Sequence, residues 1–233
     1  MTTQHAWDLS IAEARAKQRE LAAQLVLEDR FETVRYVAGV DMAINENNGM
    51  ARAAVVLLSF PELRMLEKHV YEEPIRMEYI PGLLSFRELP AVLGAMDQLK
   101  QQPDIVMVDG QGIAHPRRLG IAAHLGLWLD IPAIGCAKSI LVGTHEPVGE
   151  TVGDWSPLIY SHEVIGAVLR TRAKVKPMYI SQGHKISLAS SIKYVLACGG
   201  GYRLPETTRQ ADKLSKDNDW REKSAEDTSL FPL

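Results

Sequence analysis

Cysteine is nearly absent: Cys136 and Cys198 are the only 2 in 233 residues, far apart and outside any Cys-x-x-Cys or Cys-His cluster. A disulfide framework and a structural zinc site are therefore excluded as organising features, and both thiols read as small buried hydrophobes. No uninterrupted apolar run approaches the roughly 20 residues of a membrane-spanning helix. With 24% charged and 46% hydrophobic residues, the chain is neither an integral membrane protein nor wholly disordered. Met1-Thr2-Thr3-Gln4-His5 lacks a basic stretch followed by an apolar one, so no secretory signal is read and a cytoplasmic location is expected. There is no internal repeat and no interdomain linker. A single domain over residues 1–233 is expected, with a flexible polar tail from about residue 216, and the lack of exposed heptads makes a monomer the default.

Acidic residues are missing from one interval. Between Glu163 and Glu206 there is none, while Arg170, Arg172, Lys174, Lys176, Lys185, Lys193 and Arg203 give that stretch +7 and leave −10 on the rest. The global net charge of −3 argues nothing about nucleic acid, but this interval is a place where a polyanion would dock.

What is present reads as alternating elements. Ser10 with Glu13 forms a capping box for a helix over about residues 10–29. Three β-rich runs, Thr33–Ile44, Ala51–Ser59 and Leu63–Tyr71, read as an antiparallel meander. A helix over Leu83–Leu99 follows, with Pro90 either its first residue or a kink. Then come a buried strand at Asp104–Asp109, a helix near Arg117–Leu129 and a strand at Pro132–Gly135. Leu158–Arg172 and Val175–Ser181 read as further strands or extended segments, Lys185–Ala197 as a helix and Pro205–Leu214 as a last one. This order predicts an α/β domain with a mixed central sheet flanked by helices, and one fold with that order is ribonuclease H-like.

Asp41 and Asp109 each stand where an apolar strand surfaces, which is no natural place for a solvated charge. Neighbouring strands ending in Asp converge hard oxygen ligands on one cation, and Glu88 from the intervening helix is a candidate third oxygen. The plainer alternative is that each Asp caps a turn. His115, held extended by Pro116 and close behind Asp109, is a candidate for orienting a water or a phosphate. Lys138, after the strand ending at Gly135, would aim an ammonium into the same cleft and meet phosphate charge. Neither a P-loop nor a dinucleotide-binding glycine pattern is complete: Gly135-Cys136-Ala137-Lys138-Ser139 and Gly110-Gln111-Gly112 both fail on spacing. The glycines of the second are read instead as allowing a flat ligand close to the backbone. Tyr79-Ile80-Pro81-Gly82 has the chemistry of a wedge that stacks against bases, or else is a turn whose Tyr and Ile fold onto the core.

Taken together, Val37-Ala38-Gly39-Val40-Asp41, Tyr79-Ile80-Pro81-Gly82, Ser85-Phe86-Arg87-Glu88, Val108 through Arg118, Gly135 through Ser139 and Gly201 through Glu206 resemble the endonuclease V family of bacterial deoxyinosine-directed repair nucleases. The Asp109–Arg118 run is the most diagnostic. The resemblance implies a ribonuclease H-like fold and Mg²⁺-dependent cleavage, with Mn²⁺ able to substitute. The nick would fall at the second phosphodiester 3′ to hypoxanthine, without excision of the base, leaving a 3′-hydroxyl and a 5′-phosphate. Carried over, Asp41, Glu88 and Asp109 would hold metal, and His115 and Lys138 would assist the water or phosphate. Tyr79, Ile80 and Pro81 would separate strands, while Gly82, Leu84, Gly110, Gly112 and Ile121 would line or neighbour the pocket for an everted base. Asp212 would add a late carboxylate. The implied partner is DNA containing deoxyinosine. The alternatives are an inosine-specific ribonuclease and a non-catalytic inosine-binding module, for which the full acid set would be superfluous.

Overall fold

A computed structural model describes residues 5–45 and 49–217. The elements are, in chain order, α1 (Ile11–Ala22), β1 (Tyr36–Asn45), β2 (Met50–Ser59), β3 (Met65–Pro74), α2 (Leu84–Met96), β4 (Ile105–Val108), α3 (Ile121–Leu129), β5 (Ala133–Ala137), β6 (Trp155–Tyr160), β7 (Glu163–Leu169), β8 (Met178–His184), α4 (Leu188–Ala197) and α5 (Glu206–Ser215). All eight strands join one sheet in the order β3-β2-β1-β4-β5-β8-β7-β6. The meander β1-β2-β3 is antiparallel, β1-β4-β5 run parallel, and β5-β8-β7-β6 are antiparallel again, so the mixed sheet expected from the sequence is met.

Period-two alternation decides which residues face which helices. Ala38 and Val40 of β1 and Val106 and Val108 of β4 pack with Leu89, Val92 and Met96 of α2 and Leu125 of α3. The odd positions Val37, Ile105 and Met107 pack with Tyr194, Val195 and Cys198 near α4. α5 lies on this second face: Thr207 reaches Met107 Sδ at 3.2 Å, and a Cβ on Gly39 would fall 2.1 Å from the Thr207 carbonyl oxygen. Gly39 is thus the position at which the backbone of α5 touches β1. Gly39→Ala is expected to push α5 outward, costing about 1–3 kcal/mol for overpacking. Thermal unfolding together with nicking should register a loss of both stability and activity.

Several boundaries differ from the sequence expectation, for identifiable reasons. α1 keeps its capping box, with Ser10 N donating to Glu13 Oε2 at 2.9 Å, but ends at Ala22 instead of near residue 29. Of the two places read for Pro90, the start of the helix or its interior, it takes the interior of α2. The run 158–172 is divided into β6 and β7 by a turn at Ser161 and His162, which take φ of 52° and 65° without glycine and so left no turn signal to read. The expected helix near Arg117 begins only at Ile121, because Arg118 has a positive φ and Gly120 serves as the N-cap. The expected tail lies, apart from Lys216 and Asp217, outside the described residues, as do Glu46, Asn47 and Asn48 of the first turn. Both cysteines are buried and free. No helix among the described residues is long and apolar enough to cross a membrane.

Candidate active site

Asp41 occupies an odd position of β1, on the α5 face. Asp109 follows β4 by one residue and also takes an odd position. The parallel register pairs Val40 with Val108, and the Asp109 amide donates to the Val40 carbonyl at 3.0 Å, so the two carboxylates lie side by side where β4 ends; β1, expected to surface at Asp41, runs on to Asn45 because β2 continues to pair with it. α5 brings the third. Its buried stripe of Thr207, Thr208, Ala211 and Ser215 seats it on β1 and β2, placing Asp212 at the rim with Ser215 one turn further on. Arg52 of β2 donates to the carbonyls of Ser215, at 3.5 Å, and Asp217, at 3.3 Å, and thereby ties down the C-terminal end of α5. Ligand oxygens of Asp41, Asp109 and Asp212 lie within 4.8 Å of one another, a set of hard donors that could hold a metal ion.

The electrostatics fit a cation site. Burial raises the Asp41 carboxyl to about 7; the Ser215 hydroxyl, donating to its Oδ2 at 2.5 Å, opposes this, and a shared hydrogen bond and like charge from Asp109 add to it. Glu88, buried on α2, is raised to about 8 chiefly by desolvation, against the pull of Arg87 and with the repulsion of Asp41 and Asp109 behind it. Lys138, one residue past β5, ion-pairs with Asp109 and reaches Asp212 Oδ1 at 2.7 Å, where Lys216 also donates at 2.7 Å. Burial works against the Lys138 ammonium, but the two aspartates outweigh it and hold its pKa above the ordinary lysine value. The acid set read from the sequence is therefore rearranged: Asp212, expected only as an addition, stands within the triad, while Glu88 stands beside it. The physical reason is the layering, since α2 packs against the opposite face of the sheet from α5.

A pocket opens beside the acids, lined by Gln18, Tyr79, Pro81, Gly82, Leu84, Ser85, Gln111, His115, Leu119, Gly120, Ile121 and Leu141. The loop 79–82 that borders it is fixed through one atom. The Gly82 carbonyl accepts from Gln18 Nε2 at 2.9 Å, from Arg117 Nη2 at 2.8 Å and from His115 Nε2 at 3.0 Å, while Gln18 Oε1 in turn accepts from Arg117. His115 Nδ1 accepts from the Arg117 amide at 3.1 Å, so the hydrogen of the neutral ring is on Nε2. Burial, with Arg117 second, lowers the His115 pKa to about 4. His115 is thus placed as a tether of Gly82 and is not in the acid set. Gln18 and Arg117 were not singled out in the sequence; Arg117 lay inside the diagnostic run, but its partner is 99 residues away.

The remaining candidates divide. Tyr79 is 63% exposed, and Pro81 is also exposed, as a wedge requires, but Ile80 packs against Ala14, Leu83 and Phe86 and belongs to the core side of the loop. Leu84 and Ile121 line the pocket. Gly110 abuts Ile121, since a Cβ there would meet Ile121 Cγ2 at 2.5 Å. Gly112 plays a different part, because its amide donates to Ser181 Oγ at 2.8 Å and a Cβ would fall 2.1 Å from the Gln182 carbonyl oxygen. Its missing side chain serves packing on β8 instead of the approach of a ligand. In the basic interval, Arg170 donates to the carbonyls of Gly149 and Val175, Arg203 to those of Lys138 and Pro177, and Lys185 pairs with Asp130. Those three hold loops together, whereas Arg172, Lys174 and Lys176 are exposed.

The Endonuclease V family model matches residues 19–213. The chain is 57% identical over 212 residues to an Endonuclease V from Nostoc sp., covering 91% of this chain and 96% of that one. A crystal structure of the Streptomyces avermitilis Endonuclease V superposes with a TM-score of 0.86 at 37% identity, covering 96% of both chains. The Ciona intestinalis Endonuclease V, solved with a 23mer DNA containing an inosine followed by a ribo-adenosine, superposes with a TM-score of 0.81 at 29% identity, covering 91% of this chain and 97% of that one. The α/β fold is ribonuclease H-like, as in these structures. With the family model spanning the strands that carry Asp41 and Asp109 as well as the helix that carries Asp212, the chain belongs to the endonuclease V family.

Proposed function

We propose that this endonuclease cuts DNA at the second phosphodiester 3′ to deoxyinosine, using Mg²⁺, and leaves the base in place with a 3′-hydroxyl and a 5′-phosphate at the nick. The observation that carries this reading is the meeting of three aspartates, one within β1, one just past the parallel β4 and one on α5, in a chain that also forms a pocket lined by an exposed tyrosine. The inosine-containing DNA in the Ciona relative supports the substrate. Asp41, Asp109 and Asp212 would hold the ion, with Glu88 adjoining. A bound Mg²⁺ supplies Lewis-acid stabilisation of phosphoryl charge and lowers the pKa of a bound water.

The chain's own groups do the rest. The Lys138 ammonium meets charge developing on the phosphate. Ser215 orients Asp41 through its hydroxyl, and Asp212 divides the contacts of Lys138 and Lys216. Tyr79, with a rigid Pro81 beside it, stacks against bases at the point of extrusion, while Gln18, Arg117 and the neutral His115 hold that loop by the Gly82 carbonyl. Arg172, Lys174 and Lys176 contact phosphates without regard to sequence. Deoxyinosine is selected partly because it pairs weakly and unstacks at low cost.

The test is a nicking assay on a labelled duplex with one deoxyinosine, run with Mg²⁺ and with chelator, beside an inosine-containing RNA strand. One nick on the 3′ side of the lesion, abolished by chelator, is expected. Tight inosine-dependent binding without cleavage would favour the binding-module reading, and faster cutting of the RNA the ribonuclease reading.

A further inference from the structure

Gln111 lies in the pocket wall with its two amide atoms in unlike surroundings. Its Nε2 donates to the Ser139 carbonyl at 2.9 Å, whereas its Oε1 is buried and has no hydrogen-bond partner among the described residues. Ser139 fixes which atom is which: a backbone carbonyl only accepts, so the amide nitrogen faces it and the oxygen is turned away. A buried acceptor without a donor is uncommon in folded proteins and calls for an explanation. Tyr79, Leu84, Ile121 and Leu141 line the same pocket, one aromatic and three aliphatic walls for a flat ring. Tyr79 is 63% and Leu141 46% exposed, so these two walls of the pocket are reached from solvent. Gln111 also stands two residues beyond Asp109, which joins this pocket wall to the acid set along the chain.

We propose that Gln111 separates hypoxanthine from adenine, its Oε1 accepting the N1–H of an extruded hypoxanthine. The assignment rests on the deoxyinosine reading above and deepens it. Hypoxanthine carries a hydrogen on N1 beside its 6-oxo group. Adenine presents a lone pair on N1, which would face the lone pairs of Oε1. One carbonyl oxygen, held in orientation by the Ser139 backbone, thus admits the deaminated purine and turns away its parent.

Single-turnover nicking would be measured for the wild type and Gln111→Leu on four duplexes, carrying hypoxanthine, 1-methylhypoxanthine, unsubstituted purine or adenine at one position. Unsubstituted purine keeps the ring and lacks both the N1–H and the oxo group; 1-methylhypoxanthine keeps the oxo group and lacks the N–H. The preference for hypoxanthine over purine is expected to shrink about tenfold in Gln111→Leu, the size of one hydrogen bond read in a pocket that excludes water. The wild type is expected to cut the 1-methyl duplex at least about tenfold more slowly than the hypoxanthine duplex. A leucine variant that keeps the full preference overturns the assignment and leaves the deoxyinosine reading standing. If that variant fails to fold, the 1-methyl duplex decides, and equal cutting by the wild type overturns the assignment. A wild type that cuts hypoxanthine and adenine duplexes alike instead overturns the deoxyinosine reading itself.

Discussion

Asp109→Asn is expected to lower Mg²⁺-dependent nicking of a deoxyinosine duplex by about a thousandfold or more, near 4 kcal/mol of barrier at 1.36 kcal/mol per decade, while the chain stays folded. Asp41→Asn should do the same. The size of the effect follows from what the amide cannot do: it keeps the shape of the side chain but contributes no charge to a divalent ion and cannot offset Lys138, whose ammonium pairs with this carboxylate. Stability should move the other way. Burial raises Asp41 to about 7 and Glu88 to about 8, and the charge of Asp109 adds to both shifts. A carboxyl raised above its unfolded value contributes stability that is fully present below about pH 4 and is lost as pH climbs through the folded value. Chelated wild-type protein should therefore lose stability as pH rises toward about 8. Asp109→Asn, lacking the like charge, should lose less over the same window. Under limiting Mg²⁺, wild-type nicking should rise with pH over that range, because the ion requires the carboxylates unprotonated. Chelated melts at pH 5 and pH 8, paired with nicking rates, check all of this. Wild-type nicking by Asp109→Asn would remove the acid set from the mechanism.

What the sequence disclosed about this site, and what it withheld, follows the range of the interactions. Asp41 and Asp109 were legible because each follows an apolar run, Val37–Val40 and Ile105–Val108, that is itself a local signal of a buried strand. The meander and the parallel β1-β4-β5 core were legible for the same reason. Asp212 was named only as a late addition through the family resemblance; its place within the triad depends on α5 crossing β1 at Gly39, where only the loss of a Cβ allows the contact. Glu88 looked equivalent to the aspartates in the chain; that it approaches from α2, on the other layer, is a property of the sheet alone. The Gly82 tether was hidden because Gln18 lies 64 residues from the carbonyl it holds, and an exposed-looking glutamine on an amphipathic helix carries no local sign of such a partner. The β6–β7 turn was hidden by its composition, Ser161 and His162 adopting positive φ where glycine or asparagine would have announced it.

Lys138→Met should separate catalysis from metal binding. The ammonium lies between Asp109 and Asp212, in reach of both, and so plays two parts that the variant removes together. In the absence of a divalent ion it is the counter-charge of the acid set, and an added cation must compete with it. In the presence of substrate it is the positive group available to phosphate charge. Methionine keeps the length and apolar stem while deleting the charge, and Lys216 remains on Asp212 at 2.7 Å to limit the electrostatic disturbance. The nicking rate at saturating Mg²⁺ should fall about 10²- to 10³-fold, the range seen when one preorganised donor to a developing oxyanion is removed. The Mg²⁺ concentration giving half-maximal rate should fall as well, because three aspartates then face the ion with one competing ammonium fewer. A Mg²⁺ titration of the variant against the wild type reads both numbers at once. A lower rate with a higher Mg²⁺ requirement would instead mean that Lys138 acts by holding Asp109 and Asp212 in place for the ion, with no direct part in meeting the charge of the phosphate.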